Sequence, residues 1–362
     1  MIENCYIHIP FCKKICAYCD FCKVFYNEQM TDKYLRALGN EIKMIYNYEE
    51  LETIYIGGGT PSSLSIKELE ELFEIIGQLK RKKNCEFTIE CNFETITKEK
   101  LELFKKNGVN RLSFGIESIS SKNLELLERK ENKKRIKDIV SISRSLGFSN
   151  INLDLMYAIP GERVSDLDKD LNFLISLNPE HISTYSLMIE ENTKLYLNHI
   201  EKIDEDLDNM MYNRICDRLK EEYNHYEISN FSKPGYESKH NLCYWKNNEY
   251  YGFGVSASSY RDNVRYTNTK SITKYLKNNY KYYQEKLTDK DKMIYEMILG
   301  LRLTKGVSKE CFHNRYGINI EEYFDIKSLL EKGLILENDS NYYIAEDKLY
   351  ISNEILLSFI KE

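Results

Sequence analysis

The sequence predicts an α/β protein: a partial parallel (β/α)6 barrel, an aromatic-rich middle segment and a small C-terminal winged-helix-like module. Three observations carry this expectation. Six short apolar runs alternate with amphipathic stretches up to about residue 190. The alternation then gives way to a region dense in tyrosine and asparagine, and the chain closes on helical patterns and two apolar runs split by a polar turn. The implied segments are 1–195, 196–285 and 286–362.

The strand-like runs are YIHIP (6–10), TIYIG (53–57), FTIEC (87–91), RLSFGI (111–116), INLDLMY (151–157) and ISTYSLM (182–188). Between them, SIKELEELFEIIGQLK opens on Ser65 with Glu68 three residues on, a capping box. Its Ile66, Leu69, Leu72, Phe73 and Ile76 fall on one helical face. KEKLELFKKNG ends at Gly108, the residue type that closes a helix in the left-handed region. The segment YEISNFSKPGYESKHNLCYWKNNEYYGFG (226–254) lacks either period. DKMIYEMILGLRLTKGVS (291–308) returns to a helical one, and GLILENDSNYYIAEDKLYIS (333–352) reads as a terminal hairpin.

With 362 residues the chain has no need of disulfides to hold a core. Its 51 basic and 57 acidic residues give a net charge of −6 with both signs mixed, which argues against a nucleic-acid partner. No apolar run approaches a membrane span, and MIENCYIHIPFC lacks the basic and apolar regions of a signal peptide. A cytoplasmic location with reduced thiols is therefore expected. Cys5, Cys85, Cys91, Cys216, Cys243 and Cys311 are scattered and read as small buried hydrophobes.

Four further cysteines, Cys12, Cys16, Cys19 and Cys22, crowd into eleven positions just after the first strand. A structural zinc site would pair two groups a dozen or more residues apart, and a redox dithiol would be a lone Cys-x-x-Cys. Close-set thiolates suit an iron–sulfur cluster. Cys-x₃-Cys-x₂-Cys would supply three ligands to a four-iron cube and leave one iron open to a further ligand; Cys22, trailing the run, reads as a spare thiol or an alternative cluster ligand. In parallel α/β sheets ligands sit at the carboxyl ends of the strands. The cysteines, GGGTP (57–61), Glu90 and Asp154 all fall there.

Together, YIHIPFCKKICAYCDF (6–21), IYIGGGTPS (54–62), FTIECNFETIT (87–97), GVNRLSFGIES (108–118), INLDLMYAIPG (151–161), STYSLMIEENT (183–193) and HNLCYWKNNEYYGFG (240–254) resemble the coproporphyrinogen oxidase-like group of the radical S-adenosylmethionine superfamily. Within it they are most similar to the HemW-type heme chaperones. The resemblance implies a [4Fe–4S] cluster on Cys12, Cys16 and Cys19. It implies S-adenosyl-L-methionine bound by Tyr6, Tyr18, Gly58, Gly59, Thr60, Glu90, Glu117, Arg129 and Asp154. Arg129 would pair with the carboxylate, and Glu90 and Asp154 would accept from hydroxyl and amino groups.

For heme, the resemblance points to HNLCYW: His240 as an iron ligand, Tyr244 and Trp245 as flat surfaces. An unidentified heme-acceptor protein is implied as partner; a transient membrane-protein contact and a homodimer stay open. The oxidase branch is the alternative. Its members carry a further cysteine two residues after the third cluster ligand, where this chain has Phe21, and an N-terminal extension ahead of the first motif. Coproporphyrinogen oxidase activity is therefore not expected. Two departures stand out: Glu117 replaces the usual glutamine, and Ser258 stands where the chaperones have histidine.

Overall fold

The computed structural model describes residues 1–130 and 132–360. All six anticipated strands form: β1 (Asn4–Ile9), β2 (Leu51–Gly58), β3 (Arg81–Asn92), β4 (Arg111–Glu117), β5 (Ile151–Tyr157) and β6 (His181–Ser186). They pair in parallel and in chain order, β1 to β6. Helices cover the outer face, so the strands are buried on both sides and their apolar residues run nearly without interruption. One cavity touches β2, β3, β4, β5 and β6 together, which only a sheet curled into a partial barrel permits.

Local chemistry sets the helix limits as anticipated. The helix α1 (Ile66–Ile76) begins at Ser65 with the capping box to Glu68 formed in both directions. The helix α2 (Lys98–Lys106) is capped by Thr97 and followed by Gly108 at φ +88°.

The middle segment holds more regular structure than its composition suggests. Strands β7 (Asn224–Glu227) and β8 (Asn230–Ser232) extend the sheet antiparallel beyond β6, and β9 (Tyr251–Phe253) adds parallel to β1. The sheet thus has nine strands, in the order β9-β1-β2-β3-β4-β5-β6-β8-β7. Strands of three or four residues are too short to show a period, so the sequence hides them. A separate antiparallel sheet of Ser258–Arg261, Val264–Asn268 and Lys281–Lys286 follows.

The segment is tied to the core by Glu41, a fully buried carboxylate on the helix Glu28–Ile45. It accepts from Gly254 N at 2.8 Å, Asn268 Nδ2 at 2.6 Å and Tyr275 Oη at 2.5 Å. Further on, the helices Asp289–Gly300, Lys309–Tyr316, Ile320–Tyr323 and Ile326–Glu331 pack with a small three-stranded sheet containing the terminal hairpin, a winged-helix-like arrangement.

Among the scattered cysteines, Cys5, Cys85, Cys91 and Cys243 are buried as expected. Cys216 is half-buried and Cys311 is exposed. Cys311 lies in the first turn of the helix Lys309–Tyr316, whose buried anchor is the next residue, Phe312. No helix among the described residues is long and apolar enough to cross a membrane.

Candidate functional site

The barrel opens into a cavity of about 450 Å³ at the carboxyl ends of its strands. Its wall brings together Cys12, Cys16, Cys19, Tyr18, Gly58, Gly59, Thr60, Glu90, Glu117, Arg129 and Asp154. Tyr6 is the exception in the S-adenosylmethionine set. It faces a neighbouring cavity of about 500 Å³ with His8, Cys22, Tyr244, Tyr250, Ser258 and Lys270. Asp20 and Phe21 line both spaces, so the two adjoin.

The glycine run has a steric reason at each position. A Cβ on Gly57 would sit 2.8 Å from the Glu90 carboxylate, one on Gly58 (φ +118°) 2.6 Å from the His8 ring, and one on Gly59 2.9 Å from Cys12 Sγ. The loop therefore brings its backbone against the cysteine segment. Thr60 Oγ1 reaches Cys12 Sγ at 3.6 Å, and Arg129 Nη1 reaches Cys16 Sγ at 3.8 Å. His8 supports the same loop, its Nε2 2.8 Å from the Cys22 carbonyl.

These donors fit an iron–sulfur cluster. Three thiols face one cavity, glycine backbone and a threonine hydroxyl lie beside them, and a guanidinium is positioned to offset thiolate charge. Among the described residues, no three His, Cys, Asp or Glu side chains converge as a single metal ion requires. Burial pushes the Cys12 thiol up to about 11 and raises that of Cys19, so cluster assembly displaces protons.

Further in, Glu90 accepts from Tyr55 Oη at 2.8 Å and from Gly58 N at 3.0 Å. Asp154 accepts from Asn152 Nδ2 at 2.7 Å. Burial raises both carboxyls, Asp154 to about 7, and Glu117 as well, though the Arg129 charge and a hydrogen bond from Tyr18 oppose the shift at Glu117. Arg129 also donates to Asn92 Oδ1 at 3.0 Å and to the Gly115 carbonyl at 2.7 Å.

The sequence reading passed over Tyr55, Asn92, Arg111, Ser113 and Asn152, all on the cavity wall. The period of two was available: Asn92 lies two residues from Glu90, Asn152 two from Asp154, and Arg111, Ser113 and Gly115 share one face of β4.

The HNLCYW residues do not share one surface. They form the helix α3 (Lys239–Trp245), capped by Ser238. Asn241 lines the barrel cavity and Tyr244 the neighbouring one. His240 is buried between them, Nδ1 2.7 Å from Thr53 Oγ1 and Nε2 2.7 Å from Tyr244 Oη. Trp245 touches neither cavity. The Arg302 guanidinium lies 5.7 Å from its ring centroid, and its indole nitrogen is buried without a partner among the described residues.

Comparison with known proteins places this geometry. Residues 6–174 match the model of the radical SAM superfamily and 287–346 that of the HemN C-terminal domain. Across its whole length the chain is 38% identical to the heme chaperone HemW of Bacillus subtilis strain 168, covering all of both proteins. The chain belongs to the HemW family. Escherichia coli K12 HemW is 30% identical over 99% of this chain and 98% of its own. The solved coproporphyrinogen III oxidase HemN of Escherichia coli superposes with a TM-score of 0.87 over 99% of this chain and 90% of its own, at 21% identity, and so shares the fold. HemW relatives therefore match this chain from end to end, barrel, middle segment and C-terminal module alike.

Proposed function

We propose that this protein binds heme and hands it to an acceptor protein, with a [4Fe–4S] cluster on Cys12, Cys16 and Cys19 and S-adenosylmethionine in the barrel cavity. The observation that supports this most is the full-length similarity to HemW chaperones. Held by Cys12, Cys16 and Cys19 beside the S-adenosylmethionine residues, such a cluster would supply one-electron chemistry at the barrel mouth.

The protein's own residues have the following work in this reading. Arg129 pairs with the S-adenosylmethionine carboxylate while its bonds to Asn92 and Gly115 fix its direction. Glu90 and Asp154 keep lone pairs for hydroxyl and amino donors. The Gly58–Gly59 backbone and Thr60 close one side, and Glu117 with Tyr18 the other. Phe21, two residues past Cys19, is 64% exposed and lines both cavities with an apolar ring. Heme contacts the aromatic wall at Tyr244. His240 would be free to hold iron only if Nε2 gave up the Tyr244 hydroxyl. Trp245 supports α3 from its far side.

Titration of the anaerobically reconstituted protein with heme, followed at the Soret band, tests the reading. Saturable one-to-one binding is expected. Non-saturating binding, together with turnover of coproporphyrinogen III under reducing conditions, would favour the oxidase instead.

A further inference from the structure

Arg111 opens β4 and lines the barrel cavity, and the residue is 2% exposed. Buried guanidinium groups ordinarily sit in ion pairs, because an uncompensated charge in a protein interior costs several kcal/mol. Among the described residues no hydrogen bond or ion pair engages this one, and its Nε is buried without a partner. Thr88, its register partner on β3, holds a second buried hydroxyl with no partner.

The Arg111 charge acts on Glu90 across the cavity, opposing the rise that burial gives that carboxyl, but no cavity acid among the described residues hydrogen-bonds to the guanidinium. Glu90 is committed to Tyr55 and Gly58, and Asp154 to Asn152. Asn241, from the HNLCYW helix, lines the same cavity. A cation and a carboxamide lining the same cavity suit a planar, singly charged acceptor.

We propose that Arg111 and Asn241 form a carboxylate-binding subsite in the barrel, separate from Arg129. On the heme reading above, the group it receives is a propionate of the tetrapyrrole. Asn241 and Tyr244 are three residues apart on α3, a spacing that puts Cβ atoms about 5–6 Å apart. A porphyrin lying against Tyr244 thus has its carboxylate edge close to the cavity that Arg111 faces. A small free carboxylic acid carries the same chemistry and is the other source.

The test uses anaerobically reconstituted full-length protein, with thermal unfolding as a check on folding. Binding is measured for heme, heme dimethyl ester and sodium propionate, in wild type, Arg111→Met, Arg111→Lys and Asn241→Ala. Arg111→Met is expected to bind heme roughly thirtyfold or more weakly, with partial recovery in Arg111→Lys. The dimethyl ester should bind wild type and Arg111→Met alike. Loss of propionate binding with heme affinity unchanged would keep the subsite and assign it to a free acid. If heme and its ester weaken equally, or if neither heme nor propionate responds, the carboxylate subsite is wrong. The heme reading falls separately, if wild type binds neither heme nor its ester.

Discussion

The Nε2 of His240 lies 2.7 Å from the hydroxyl of Tyr244, one turn further along the same helix. With Nδ1 held by Thr53, the imidazole is satisfied at both ends. Burial lowers its pKa to about 3, so it is neutral at any physiological pH. A neutral imidazole is the form that binds iron, and Tyr244 is the group that competes for it.

Removing that competitor should help. Tyr244→Phe is expected to tighten heme binding several-fold if Nε2 is the iron ligand, and the heme spectrum should keep its nitrogen-ligand form. His240→Ala should lose that form and also destabilise the fold by about 2–4 kcal/mol, because it leaves a cavity and an unpaired Tyr244 hydroxyl, while Thr53 keeps its bond to Asn4. His240→Gln separates the two effects, since an amide can serve both hydroxyls. Unchanged heme spectra in His240→Gln would remove His240 from the ligand role.

Gly59→Ala should abolish cluster assembly while the sheet survives. Its Cβ would meet Cys12 Sγ at 2.9 Å and the Pro10 backbone at 2.8 Å, and backbone cannot yield as a side chain can. Iron and sulfide content after anaerobic reconstitution, beside far-ultraviolet circular dichroism, reads both. For Gly57→Ala the nearest atoms are the end of the Glu90 side chain, which can shift, so this variant should keep its iron.

The barrel strands were legible because each is long enough to show its apolar run, and the cysteine and glycine motifs because their spacing is local. The placement of Tyr6 was not legible. Along β1, Tyr6 and His8 share a face by the period of two, but which cavity that face meets depends on the remote strand β9 and on Ser258. Nor could the spacing of HNLCYW show that successive residues of one short helix serve three surroundings. Arg111 was hidden for another reason: an arginine beginning a strand is ordinarily exposed, and only the fold shows it buried.

Glu117 places a third carboxylate in the barrel with Glu90 and Asp154. Glu117→Gln keeps an acceptor toward Tyr18 and removes a charge near the group that Arg129 is proposed to hold. S-adenosylmethionine affinity, measured by equilibrium dialysis on reconstituted protein, is expected to rise several-fold. A fall would show that Glu117 binds the cofactor through its charge.

Glu41 should make stability depend on pH. Its carboxyl is raised from 4.5 to about 7, chiefly by burial, with the bonds from Tyr275, Gly254 and Asn268 opposing. The folded state therefore holds this proton more tightly than the unfolded state does. The stability this confers is complete below pH 4.5 and is lost as pH rises to about 7. The loss is about 3 kcal/mol by the usual conversion. Urea unfolding from pH 5 to 8 should show a steeper decline in wild type than in Glu41→Gln; parallel curves would show that Glu41 titrates normally.

Heme transfer tests the central claim most directly. Heme-loaded protein, reconstituted with cluster and S-adenosylmethionine, is mixed with an apo-hemoprotein, and the acceptor's absorption is followed against free heme and heme-loaded albumin. The chaperone account predicts transfer whose rate rises with acceptor concentration and changes when the cluster is absent. A rate independent of acceptor and equal to spontaneous heme dissociation, with or without cluster, would contradict it.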